Sequence, residues 1–384
     1  MLILPLSLCR WVMPDPVLRL ARLCLLMLPC GALLSQARQA TFPARPDLVI
    51  DAVEEDLSDV RFVAAFPDGT IAVSQPVDGR VLLYSPDGHR KAAVGRPGAG
   101  PGEFRTLANL HGFIGDTLWL YDVDLRRFTL VRSDGRMVRS MRVPAEWRTR
   151  GGELLRSSIP TPLSLRPDGS FFGRITMLAA LPFPREWGRN PSHNVDVFAW
   201  VSRTGAVDRP IAIRPGDAPV CGSAPIRRQE CPSSWATVGG PDLRIAALEV
   251  ENDGEAPFFV RVTVIAPSGD TLFVRRLAYP PLRVSADTIA QLRKLRRVNS
   301  GAEPRNYKRP VSRLLVGRDG SIWVGFRERP AGVPWIVLNP DGTTRMEFTA
   351  PPNVDLMAAS AAEVWGTLTD EDGLESVVRY RAPR

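Results

Sequence analysis

The chain is 384 residues long, 44% hydrophobic and 23% charged, with 36 Pro and 31 Gly spread along its length. This composition excludes a disordered or low-complexity chain and suits many short strands joined by turns. The formal charge is +8, yet the basic residues form no single stripe, which argues against nucleic acid as a partner. All but Lys91, Lys294 and Lys308 are Arg.

The first 37 residues read as a targeting segment. Arg19 and Arg22 precede the apolar run LCLLMLPCGALL at 23–34, and Ser35 and Ala37 supply the small residues of a cleavage site. Met13 is an alternative start. The run is shorter than the roughly 20 residues a spanning helix needs, so 1–37 is expected to be a signal peptide and not a membrane span. A retained anchor is the alternative. Lipidation at Cys30 is disfavoured by Pro29 before it. The mature chain, 38–384, is expected to be a single secreted or periplasmic domain and a monomer.

The next apolar string, LVIDAV at 48–53, reads as an isolated strand. Beyond it a repeat emerges. Turn tokens recur as PDG at 67–69, 86–88, 167–169 and 340–342, with SDG at 133–135 and RDG at 318–320. Asp-Gly supplies the positive φ of tight hairpin turns. Strings rich in β-branched and aromatic residues follow, such as TIAV (70–73), TLWL (117–120) and SIWV (321–324). Six units of strand, turn, strand, gap, strand, turn, strand span about 60–94, 107–143, 161–213, 233–282, 311–350 and 354–381. The sixth lacks an evident fourth strand, which 48–53 can supply. The expected fold is all-β: a six-bladed β-propeller of four-stranded antiparallel blades. One insertion breaks the pattern. Ser285 can cap a helix over ADTIAQLRKLRRV, with Asp287 in its first turn and Arg296 and Arg297 in its last.

The segment GRPGAGPGEF at 95–104 resembles the Gly-rich stretch ending in Glu-Phe that opens a blade in NHL-repeat propellers. AVSQPVDGRVLLYSPDG (72–88) and LYDVDLRRFTLVRSDG (120–135) are similar to the blade centres of that family. The resemblance is good over the first two units, fair in the fifth and weak elsewhere. It implies an NHL-like or TolB-like exported propeller. It carries little about function, because propellers host unrelated activities.

In such a blade, the first-to-second and third-to-fourth strand hairpins lie on one face of the ring. The second-to-third turns and the links between blades lie on the other. The tight Asp-Gly turns above all fall on the first face by this reading, and the long segments 95–106, 144–160, 178–194, 214–234 and 279–310 on the second. Function concentrates on long loops carried by a rigid scaffold. The candidate binding residues are therefore Asp122, Asp124, Arg126, Trp147, Arg185, Trp187, His193, Arg227, Arg228 and Tyr307, at the long-loop mouth of the central channel. Lys308 and Arg309 end the longest loop. Cys221 and Cys231, the two cysteines of the mature chain, are expected to form a disulfide across this face.

No P-loop, nucleophile elbow or H-E-x-x-H motif is present, and no catalytic residue, metal or cofactor is expected. Asp122 and Asp124 sit in D-V-D-L-R-R, where Arg replaces the further oxygens a Ca²⁺ ion requires. The leading expectation is an exported scaffold that engages a protein, glycan or small molecule. The alternative is a metal-dependent hydrolase or lyase of the gluconolactonase-like propeller type, for which the inner-strand starts RFVAAF and LSLRPDG offer few carboxylates or imidazoles.

Overall fold

The computed structural model describes residues 38–156, 160–192, 194–215, 235–251, 258–296, 307–308 and 310–383. They form six sheets arranged as the blades of an all-β propeller. Blade one is Val63–Ala65, Ile71–Gln75, Arg80–Tyr84 and Arg90–Val94. Blade two is Leu107–Ile114, Thr117–Asp122, Arg127–Val131 and Met137–Arg142. Blades four and five follow the same plan over Trp235–Gly239 to Thr271–Ala278 and Val311–Val316 to Thr344–Ala350. Among the described residues no helix is long and apolar enough to cross a membrane.

Burial within a blade explains the strings seen in sequence. A middle strand is covered on both faces by neighbouring blades, so it reads as a continuous apolar run without alternation. Ile71–Gln75 and Arg127–Val131 are buried at every position. Outer strands are half-covered and carry charge, as in Met137–Arg142, where five of six residues are exposed. Charged outer edges also discourage pairing with other chains. The hairpin turns share one device. In the first, Gly69 adopts φ 84° and Asp68 Oδ1 accepts the Thr70 amide at 2.9 Å. Asp168 with Ser170 and Asp341 with Thr343 repeat it, each at 2.8 Å.

The sixth blade contains Val354–Ala359, Glu363–Thr369 and Glu375–Arg381. Leu48–Ile50 completes it, pairing antiparallel with Arg379, Val378 and Val377. The strand is shorter than the expected 48–53. Asp51 Oδ1 captures the amides of Val53 at 2.8 Å and Glu54 at 3.0 Å, turning the chain out of the sheet.

Two further differences have local causes. Asp-Gly pairs at 78–79 and 372–373 form second-to-third turns, so tight turns are not confined to one face. Blade three, Thr161–Leu165, Phe171–Met177 and Val195–Val201, has a split outer strand. Ala206–Val207 and Ala212–Pro215 pair in succession with Val195–Val201. Pro210, which lacks an amide donor, lies between them. The helix α1, Ala286–Arg296, forms where expected, and Ser285 Oγ accepts the Thr288 amide at 3.2 Å. Cys221 and Cys231 lie outside the described residues, as do residues 1–37.

Closure should carry much of the stability. Ile50 is 2% exposed beneath the seam, whereas Val49 beside it is half exposed. Ile50→Ala is expected to cost about 2–5 kcal/mol and Val49→Ala less than about 0.5 kcal/mol. Urea unfolding of both variants checks the contrast.

Candidate functional site

Each inner strand enters the ring from the long-loop face, so the residues that begin these strands line the channel mouth. Inner-strand register shifts occur between Leu107 and His111, Pro162 and Ser164, Val311 and Arg313, and Leu356 and Ala358. Such bulges re-aim side chains next to a site. In blade five, Ser312 Oγ donates to the carbonyls of Gly325 and Phe326, at 3.2 and 2.9 Å, where the ladder is interrupted.

Five charged residues gather at this end from blades five, six and one. Arg313, on the inner strand of blade five, forms a two-pronged pair with Asp355 on the inner strand of blade six. Its Nε lies 3.2 Å from Oδ1, and its Nη2 meets Oδ2. Arg61, entering blade one, holds Asp59 in the same manner at 3.0 and 2.7 Å. Glu375 begins the third strand of blade six between these pairs. Burial pushes its carboxyl above the ordinary Glu range, and the negative charges of Asp59 and Asp355 push it further. Arg61 and the Val60 amide oppose the shift without cancelling it. This end therefore presents two guanidinium–carboxylate forks beside a carboxyl whose pKa is raised.

A second polar focus lies between blades three and four. Thr176 Oγ1 donates to Asp196 Oδ1 at 2.7 Å, and Asp196 is 3% exposed. Burial raises its pKa despite that bond and the nearby charge of Arg174. The Nε of Arg174, the Oγ of Ser164 and the Nε1 of Trp200, all on this side of blade three, are buried with no hydrogen-bond partner among the described residues.

The residues singled out in sequence fall into separate groups. Asp122 is fully buried and staples its own turn: Oδ2 accepts the Arg105 amide at 2.7 Å and Oδ1 the Leu125 amide at 2.8 Å. Asp124 accepts from Thr106 Oγ1 at 2.7 Å, and Arg126 takes the positive-φ position of that turn at 46°. Trp147 is buried in the core shared by blades two and three. Arg185 and Trp187 share one 3₁₀ turn; Trp187 packs on Phe183, a residue of the same core as Trp147. Tyr307 lies apart, half-buried against Phe258 at 4.9 Å between ring centres. His193, Arg227 and Arg228 lie outside the described residues.

Asp59, Arg61, Arg313, Asp355 and Glu375 were not singled out in sequence. Their only signal is position, within four residues of a strand start after a turn or link. Of the three carboxylates only Asp355 lies on an inner strand; Asp59 precedes blade one and Glu375 begins a third strand. No group of three or more His, Cys, Asp or Glu among the described residues is placed to hold a metal ion.

No protein-family model and no curated protein sequence matches the chain. Solved structures with a similar chain path include a protein described as exported, from Bacteroides fragilis. It is 10% identical, with a TM-score of 0.47, over 90% of this chain and 94% of that one. Virginiamycin B lyase from Staphylococcus aureus is 13% identical, with a TM-score of 0.40, over 83% and 93%. The calcium-binding protein regucalcin from Agrobacterium tumefaciens is 10% identical, with a TM-score of 0.40, over 89% and 95%. Likenesses at this level concern fold and say nothing of activity.

Asp196 yields a pH prediction. The folded state binds its proton more tightly than the unfolded chain does. Its contribution is therefore most favourable in acid and is lost as pH rises from the ordinary Asp range through the raised folded value. Asp196→Asn should remove this slope and be the more stable of the two proteins at pH 8. Thermal melts of both proteins at pH 4 and at pH 8 test it.

Proposed function

We propose that the chain is an exported, non-catalytic binding propeller of the NHL-like kind, and that its channel mouth binds a neutral glycan. The observation that carries the reading is the convergence of the Arg61–Asp59 and Arg313–Asp355 forks on Glu375. A sugar hydroxyl is donor and acceptor at once. Vicinal hydroxyls therefore match a fork that offers guanidinium N–H groups beside carboxylate oxygens. Each fork pairs one cation with one carboxylate, so the two forks together carry no net charge with which to select an ion. Because the forks are already paired, little side-chain ordering remains to oppose binding. Export is supported by the Arg-flanked apolar segment before Ser35 and Ala37.

Binding of neutral oligosaccharides to purified residues 38–384, screened on an array and then measured by calorimetry, tests the reading. Asp355→Asn and Glu375→Gln are expected to weaken the best ligand by about tenfold or more, equivalent to about 1.4 kcal/mol each. Asp134→Asn, in a hairpin turn on the opposite face, should bind like the parent. Equal affinity in all four proteins, or no glycan bound by the parent, would overturn the assignment.

A further inference from the structure

The long-loop face carries a second concavity, away from the charged forks, where blade four hands over to blade five. Its walls come from three segments. Tyr279 and Pro280 follow the outer strand of blade four; Lys308 and Pro310 precede the inner strand of blade five; Phe326 leads into the second-to-third turn of blade five. Backbone bonds tie the segments together. The Lys308 amide donates to the Leu282 carbonyl, and the Arg327 amide to the Pro310 carbonyl, both at 2.7 Å. Tyr279 and Phe326 are buried and in ring contact, which closes the floor. The cleft is shallow and open to solvent along its rim.

Its charge is one-sided. Lys308, Arg327 and Arg329 all line it, and among the described residues no carboxylate does. Arg329 donates to the Pro280 carbonyl, which fixes the guanidinium without neutralising it. Arg327 is held by a further contact of its own. Lys308 is only partly exposed, and among the described residues its ammonium has neither an ion pair nor a hydrogen-bond acceptor. Lys308 and Arg329 set two like charges beside an apolar floor, and they repel one another. An oxyanion placed in the cleft relieves that repulsion. It is attracted by both charges and accepts from Lys308.

We propose that this cleft is a binding site for a small soluble oxyanion, a carboxylate or a phosphate group, with Lys308 and Arg329 as its principal donors. The site is independent of the glycan reading, because it shares no residue with the mouth. The shared chemistry of carboxylate and phosphate sets the class; a lipid headgroup would present the same group from a membrane surface and is separated by experiment.

Calorimetry at low ionic strength with inorganic phosphate and with galacturonate, on residues 38–384, provides the test. Saturable binding of at least one anion is expected. It should weaken about tenfold or more in Lys308→Met and Arg329→Gln, recover within a few-fold of the parent in Lys308→Arg, and fade as salt rises. Glu375→Gln should bind the anion as the parent does, so loss of the glycan site leaves this result untouched. Unchanged thermal melts for Lys308→Met confirm that the loss is local. The proposal fails if neither anion binds the parent, or if Lys308→Met and Arg329→Gln bind like it. It also fails if the soluble anions are ignored while phosphatidylglycerol vesicles, but not phosphatidylcholine vesicles, retain the protein through Lys308.

Discussion

The antiparallel pairing of Leu48–Ile50 with Glu375–Arg381 is the constraint on which the rest of the ring depends. Five blades complete themselves from consecutive sequence; the sixth cannot. Asp47 extends the seam by accepting from Arg379 Nε at 3.1 Å and donating its amide to the Arg379 carbonyl at 2.9 Å. Arg379 in turn lies over the Trp365 ring at 5.4 Å. Two crossings then bind the chain leading into blade one to the third strand of blade six. The Ala52 amide donates to Ser376 Oγ at 3.0 Å, and the Val60 amide to Glu375. The proposed glycan site straddles this seam, since Asp59 and Arg61 enter from one side and Glu375 and Asp355 from the other. Fold closure and site geometry are thus one event, and loosening the seam would spread the two forks apart.

Elsewhere the blades are joined by arginines that reach across to backbone carbonyls. Arg244 of blade four donates to Pro340 at 2.9 Å and Gly320 at 3.2 Å, both in hairpin turns of blade five, while Asp242 holds it from behind at 2.6 Å. Arg275 reaches Gly342 at 2.6 Å. Arg127 grips the carbonyls of Ala99, Gly100 and Glu103, folding the Gly-rich loop over blade two. In that loop Phe104 is buried, and a Cβ on Gly95 would lie 2.5 Å from its ring, so glycine is required there. A planar guanidinium can serve several carbonyls at once, which an ammonium does less well. Part of the +8 charge is therefore structural. In the basic cleft beside Lys308, Arg329 serves the Pro280 carbonyl in the same way.

The architecture was legible because its signals are local. Asp-Gly turns announce hairpins through φ alone, and strings such as RVLLY and SIWV announce strands covered on both faces. Ser285 announced α1 through a single side-chain bond. The binding residues were legible only in part, for a physical reason. Asp122 was grouped with the loop candidates, yet two backbone amides consume it, the role a turn Asp in D-V-D-L-R-R favours. Trp147 looked like a loop anchor, yet the core of blades two and three absorbs it. Conversely, Asp59, Arg313, Asp355 and Glu375 lie as much as 316 positions apart in sequence and resemble ordinary solvent cover until the ring brings them together. Blade three was the least legible unit because Pro210 splits its outer strand.

The two ends of this design have opposite energetics. At the seam of blades six and one, every charge named has a partner, and closure adds buried apolar contact around Ile50, Val73 and Trp365. At the seam of blades three and four the shared apolar cluster is small, built on Phe172, Phe198, Trp200, Ile245 and Ile265. Among the described residues this seam also carries a carboxyl whose ionisation is penalised and three buried polar atoms without partners. Unsatisfied polar groups cost more than the bonds they lack would have gained. Local opening draws on the least stable contacts, so opening of the ring is expected to begin at the three–four seam and not beside the forks.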